Sequence, residues 1–221
     1  MLGDIQKAEG DLDGARKNYQ EGLDILKKAN SSAATMQVSL AELPIAGGHS
    51  EAAEPLLRQA IAEFDKDKSA GEELGVYTSL GRLLLAQRKV AEAREATAHA
   101  LKLADLHQFP VLNLPLQLLQ ARIRAAAALP GVAGRNDLMI AARQIRAVIQ
   151  KSQQLGLYNI NCAARLALGE LELQLNSSSG RAQLISLAAE THSRGLELIA
   201  RQAEQAIPKA NVVVAANKPA R

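Results

Sequence analysis

Apolar positions along the chain recur at helical spacing in short blocks separated by polar or glycine-rich turns. This pattern predicts eleven helices, spanning residues 1–9, 13–28, 33–46, 51–66, 72–86, 90–104, 111–128, 137–154, 158–175, 180–193 and 196–206. In the second of them Ala15, Tyr19, Gly22, Leu23 and Leu26 share one face. Within several blocks the same dipeptide returns, leucine followed by a small residue: Leu2-Gly3, Leu40-Ala41, Leu80-Gly81 and Leu168-Gly169. Downstream of the first three lie Ala15, Ala53 and Ala93, each followed seven positions later by Gly22, Ala60 and Ala100. Both series step by 38 and then 40 residues. A period of this size marks an array of helix pairs, each too small to bury its own faces and therefore stacked on its neighbours.

Local signals refine the boundaries. Gly10-Asp11-Leu12, Gly47-Gly48-His49-Ser50 and Gln87-Arg88-Lys89 are turns, with Ser50 an N-cap candidate. Pro44 lies inside an apolar block, and because proline within a helix costs about 3 kcal/mol, that helix is expected to end or kink near Leu43. Pro55 poses a smaller version of the same problem. The run Leu129-Pro130-Gly131-Val132-Ala133-Gly134 reads as a breaker, with the following helix capped by Asn136 and stopped by Gly156. This fourth pair departs from the period, which leaves open whether it is a repeat or an insertion. The last helix repeats the spacing of Leu157, Ile160 and Ala164 as Leu196, Ile199 and Ala203, and serves as a closing cap. From Pro208 onward there is no period. The expected organisation is one domain over residues 1–206 and a disordered tail, 207–221, whose Val212-Val213-Val214 run is too short to matter. A helix pair beginning mid-helix at residue 1 leads us to expect further sequence, or another domain, upstream.

Composition supports an all-helical chain, because aromatics are 2% and tryptophan is absent, where a β-sandwich would need more aromatic and β-branched residues. No apolar run is long enough to cross a membrane, the start lacks the pattern of a signal peptide, and a single cysteine, Cys162, fits a reducing compartment. The expectation is a soluble, cytoplasmic protein with no membrane partner. Asn30-Ser31-Ser32 and Asn176-Ser177-Ser178 then read as solvated loops and not as glycosylation acceptors. Net charge is +3, yet residues 1–67 carry 7 basic against 12 acidic side chains, while residues 116–151 carry Arg122, Arg124, Arg135, Arg143, Arg146 and Lys151 against Asp137 alone. Such polarity can steer an acidic partner or pair two copies head to tail.

Leu80-Gly81 followed by Ala93 and Ala100 resembles the tetratricopeptide repeat, and the first three pairs carry that resemblance best. The period here is longer than the family's, and its aromatic positions hold aliphatics. Leu40-Ala41-Glu42-Leu43 followed by Ser50-Glu51-Ala52-Ala53, and Leu83-Leu84-Leu85-Ala86-Gln87 followed by Ala91-Glu92-Ala93-Arg94, are similar to bacterial arrays C-terminal to Ser/Thr kinase or winged-helix domains. The resemblance implies an all-α, right-handed α-α superhelix of about five pairs with a C-terminal capping helix, binding a protein or peptide along a concave groove. Carried over residue by residue, the groove holds Glu42, Arg82, Arg122 and Glu170 just after the small packing residues, with Val38, Thr78, Leu118 and Leu166 one turn earlier. Aliphatic side chains around central arginines suit a peptide held by arginine–carboxylate pairs.

Catalytic patterns are missing from the sequence. His49, His99, His107 and His192 are far apart, and none stands at metal-ligand spacing with cysteine or acid. Cys162 lies on an apolar helix face, Gly47-Gly48 lacks the rest of a phosphate-binding loop, and neither Asp-Phe-Gly nor His-Arg-Asp occurs. We therefore expect a non-enzymatic chain needing no cofactor or metal. The alternatives to a protein-binding scaffold are nucleic-acid binding through residues 122–151, weakened by the shortage of aromatics for stacking, and homo-oligomerisation on an open N-terminal face.

Overall fold

In the computed structural model the described residues are 2–29, 33–47, 50–67, 70–107, 113–175 and 178–207. The loop at Asn30-Ser31-Ser32, Gly48-His49, residues 176–177 and the tail from 208 onward, for all of which the sequence carried expectations, lie outside them. The described residues form α1 (Leu2–Ala8), α2 (Leu12–Lys28), α3 (Ala34–Ala46), α4 (Glu54–Asp67, after one 3-10 turn at Ser50–Ala53) and α5 (Ala70–Ala86). Then come α6 (Val90–His107), α7 (Asn113–Ala126), α8 (Val132–Gln154), α9 (Tyr158–Gln174), α10 (Ser178–Ser193) and α11 (Glu197–Ala206). The protein is all-α, with no strand among the described residues.

Each helix packs on the next along the whole chain. The principal helix-to-helix contacts that skip a neighbour all join odd-numbered helices: α3 to α5, α5 to α7, α7 to α9 and α9 to α11. The fourth pair, α7 and α8, packs in this order like the others. One contact breaks the sequential pattern. The backbones of α1 and α11 approach within 8 Å, Gln202 Nε2 donates to the Ala46 carbonyl at 3.3 Å, and a Cβ on Gly10 would lie 2.8 Å from Arg201 Nη2. The last helix thus lies against the first pair and the end of α3.

The recurring small residues mark where paired helices come closest. A Cβ on Gly3 would lie 2.6 Å from Tyr19 Cε1, and one on Gly81 would lie 2.8 Å from Thr97 Oγ1 and 2.9 Å from Leu119 Cδ2. On Gly169 it would lie 2.6 Å from Leu184 Cγ. Ala41 and Ala93 are fully buried at the equivalent crossings, within clusters built on Leu57 and Leu83 and on Leu119 and Ile123 respectively. Small side chains here let backbones approach, and leucines from the facing helix fill the space.

Three sequence expectations are corrected. α3 does not end at Leu43 but runs through Pro44 to Ala46. Pro44 falls in the last turn, where it forfeits a single terminal bond, and its ring is buried in exchange. Pro55 sits in the first turn of α4, where its missing N–H has no intrahelical partner to lose. The third correction is α8, which starts at Val132 and not at Asp137, so that Asn136 is inside the helix and caps nothing. The connection spans residues 127–131 and closes on Gly131, whose φ of 102° is in a region that favours glycine. Gly134 is helical rather than a breaker, and the Leu129 carbonyl lies over it so closely that an added Cβ would overlap its oxygen.

Candidate interaction face

The four residues that follow the small packing positions lie at one register on successive odd-numbered helices: Glu42 on α3, Arg82 on α5, Arg122 on α7 and Glu170 on α9. The structure brings them together in pairs. Arg82 Nη1 is 3.3 Å from Glu42 Oε1, and Arg122 Nη2 is 3.7 Å from Glu170 Oε2. Two residues not singled out from sequence complete the first pair. Lys7 Nζ donates to Glu42 Oε2 at 2.7 Å and Ser79 Oγ donates to Oε1 at 3.1 Å. Asp4, at the α1 register matching Glu42, instead accepts from the Tyr19 hydroxyl at 2.7 Å.

Glu42 is the most enclosed group of this row. Burial alone would push its carboxyl up, but Arg82, Lys7 and the hydrogen bonds from Lys7 and Ser79 outweigh that and hold it below the ordinary carboxylate range. The two arginines are about half exposed, at 49% and 47% of their side chains. Arg122 is beyond hydrogen-bonding distance of Glu170, so its donors remain largely uncommitted.

The residues one turn earlier form a floor. Val38 is half-buried against Ala41, Leu57 and Val76, and Leu166 against Leu184 and Leu187. Thr78 and Leu118 are buried, at 7% and 8% exposure. The Thr78 hydroxyl donates to the Leu74 carbonyl at 2.7 Å, so its proton is committed within α5.

Three of the six basic residues in 116–151 face carboxylates. Arg122 meets Glu170, Arg124 Nη1 meets Asp137 Oδ1 at 3.3 Å, and Arg146 Nη2 meets Glu172 Oε1 at 2.7 Å. Glu172 was not anticipated. It is buried between α9 and its neighbours and also accepts from Ser179 Oγ and, at 2.9 Å, from Gln183 Nε2. Its signal in the sequence is a carboxylate four residues after Leu168, on the apolar face of the helix. Near the C-terminal end Glu190 accepts from Tyr158 and Arg165 at 2.8 and 2.7 Å, with Arg194 4.6 Å above the Tyr158 ring. Cys162 is buried beside this group, and burial pushes its thiol up, away from the reactive thiolate.

His99 Nε2 lies 2.9 Å from Glu73 Oε1 and its ring packs on Tyr77, while His192 meets Glu197 at 2.9 Å. Among the described residues no three histidine, cysteine or acidic side chains are grouped to hold a metal, and no helix is long and apolar enough to cross a membrane. The chain matches no protein-family model, no curated protein and no solved structure with which it was compared.

Proposed function

We propose that this chain is a non-catalytic, tetratricopeptide-like scaffold that holds a peptide or protein partner on the face lined by its odd-numbered helices. The observation that carries the reading is the register: Glu42, Arg82, Arg122 and Glu170, picked by their place after the packing residues, fall in one row across α3, α5, α7 and α9. The contact pattern supports it too, since odd-numbered helices touch one another directly while the even-numbered ones are joined through them. An array curves toward its more closely spaced layer, which makes the odd-numbered layer the concave side of a superhelix, the right-handed one implied by the resemblance. Within a larger bacterial signalling or regulatory protein such a scaffold would be the partner-sensing arm. Arg124 and Arg146, each hydrogen-bonded to a carboxylate, weigh against a nucleic-acid track, and α11 lying against α1 weighs against an N-terminal face open for self-association.

The test is site-specific photo-crosslinking in cells. A crosslinker at Ala86 or Ala126, exposed one turn beyond the arginines, is expected to give discrete protein adducts, and one at exposed Glu95 on α6 is not. Equal adducts from all three sites, or adducts that vanish with nuclease, overturn the proposal.

A further inference from the structure

The odd-numbered helices meet in a closed circuit. α1 reaches α3 through Lys7 and Glu42, contacts continue from α3 to α5, α7, α9 and α11, and α11 returns to α1. Buried apolar clusters weld the array from α2 onward: one joins α2 to α3, the next α3 to α5, and others α5 to α7, α7 to α9 and α9 to α11. The step from α11 back to α1 differs. Among the described residues no cluster holds side chains of both helices. Ala203 of α11 is buried with Cys162 of α9 and Leu184 and Leu187 of α10, so the apolar face of α11 is already committed, while Leu2 and Ile5 of α1 stay 60% and 57% exposed. What joins the two ends is polar: Gln202 Nε2 donating to the Ala46 carbonyl at 3.3 Å, and the Arg201 guanidinium beside Gly10.

We propose that this seam is a gate: α11, carried on α9 and α10, swings away from α1 and the end of α3 and so opens the face that the odd-numbered helices enclose. The inference rests on the scaffold reading above, which puts that face on the concave side. Burying a single leucine outweighs one neutral hydrogen bond once the competing bonds to water are counted, so the circuit parts at its polar seam before any welded step. Parting there exposes no buried cluster, and the units on either side move as bodies. The hydrogen bond that closes the seam also has a sign. Ala46 is the last residue of α3, whose C-terminal carbonyls carry partial negative charge and favour a donor or a cation opposite them. The Gln202 amide supplies the donor, and a carboxylate at the same place would repel.

The test reads the seam and the enclosed face separately, in the full chain carrying Cys162→Ala so that only introduced thiols react. Spin labels at the exposed positions Ile5 and Glu204 report the seam, while the pairs Ile5–Lys17 and Asn159–Glu204 report the steps from α1 to α2 and from α9 to α11. Pulsed double electron–electron resonance is expected to show a longer-distance component for the seam pair alone. That component should rise about fivefold in Gln202→Ala, further in Gln202→Glu, and fall in Gln202→Lys. Access is read at Arg122→Cys, on the enclosed face, and at Glu95→Cys, on the exposed side of α6, as the rate with a bulky polyethylene-glycol maleimide relative to N-ethylmaleimide. The ratio at Arg122→Cys should climb in step with the longer component, and the ratio at Glu95→Cys should stay constant. A seam distribution indifferent to residue 202, one that broadens together with either control pair, or labelling at Arg122→Cys that does not follow it would each overturn the gate. Crosslinks from Ala86 and Ala126 would in those cases leave the scaffold standing. Gated labelling in a protein giving no such crosslinks would do the reverse.

Discussion

Gly169 and Gly180 meet backbone to backbone: a Cβ placed on Gly180 would lie 2.8 Å from the Gly169 carbonyl oxygen and 2.8 Å from the Leu173 nitrogen. Neither atom can move without shifting a helix. Gly180→Ala is therefore expected to destabilise by about 1–3 kcal/mol, even though alanine is the better helix former. Gly81→Leu, entering the crossing against Thr97 and Leu119, should lower the melting temperature more than Arg82→Ala, which removes a half-exposed ion pair worth under about 1 kcal/mol. Equal effects of the last two on thermal melting would mean that the assigned repeat register is wrong.

Glu42 makes stability depend on pH. Its folded carboxyl is held below the ordinary value of 4.5, so the stabilisation is complete above that value and disappears as pH falls through the lowered one. Glu42→Gln is expected to cost about 1 kcal/mol at neutral pH and progressively less on acidification below about 4.5. Denaturant melts of both proteins across this range are the check, and a constant difference would contradict the assignment.

The buried Glu172 couples three helices, and removing its arginine leaves a charge short of one partner. Arg146→Ala should cost about 1–3 kcal/mol by urea unfolding. In a Glu172→Gln background, where no charge is left behind, the same substitution should cost much less. Additive losses would show that the two side chains act independently.

Deleting α11 is expected to reach the far end of the chain. Because α11 lies against α1, truncation after Arg194 should lower amide-exchange protection in α1 and at the Gly10 turn, and Gln202→Ala should do so to a lesser extent. Unchanged protection there would show that the contact contributes nothing.

Most helix positions were readable in the sequence because apolar residues recur at helical spacing along each element. The turn at Gln87-Arg88-Lys89 and the stop at Gly156 stand where residue types put them. Misreadings arose where tertiary packing overrode a local rule. Pro44 is tolerated because it falls in a final turn, and Gly134 is helical with a carbonyl filling the space beside it. Lys7 and Ser79 were missed because their role depends on reaching Glu42 from other helices. The contact of Gln202 with Ala46 spans 156 residues and repeats nothing, so no periodicity could announce it.

That contact changes how the molecule comes apart. In a linear stack the terminal units have one neighbour each, fray first and let unfolding propagate inward. With α11 seated on α1, the two units that should be weakest brace each other, and the stack acquires something close to a cyclic boundary. Unfolding then has no preferred starting point until the clasp opens. In the folding direction the sequence-local helix pairs are expected to form before the clasp, because bringing α11 to α1 closes a loop of nearly the whole chain and costs entropy that short-range contacts do not.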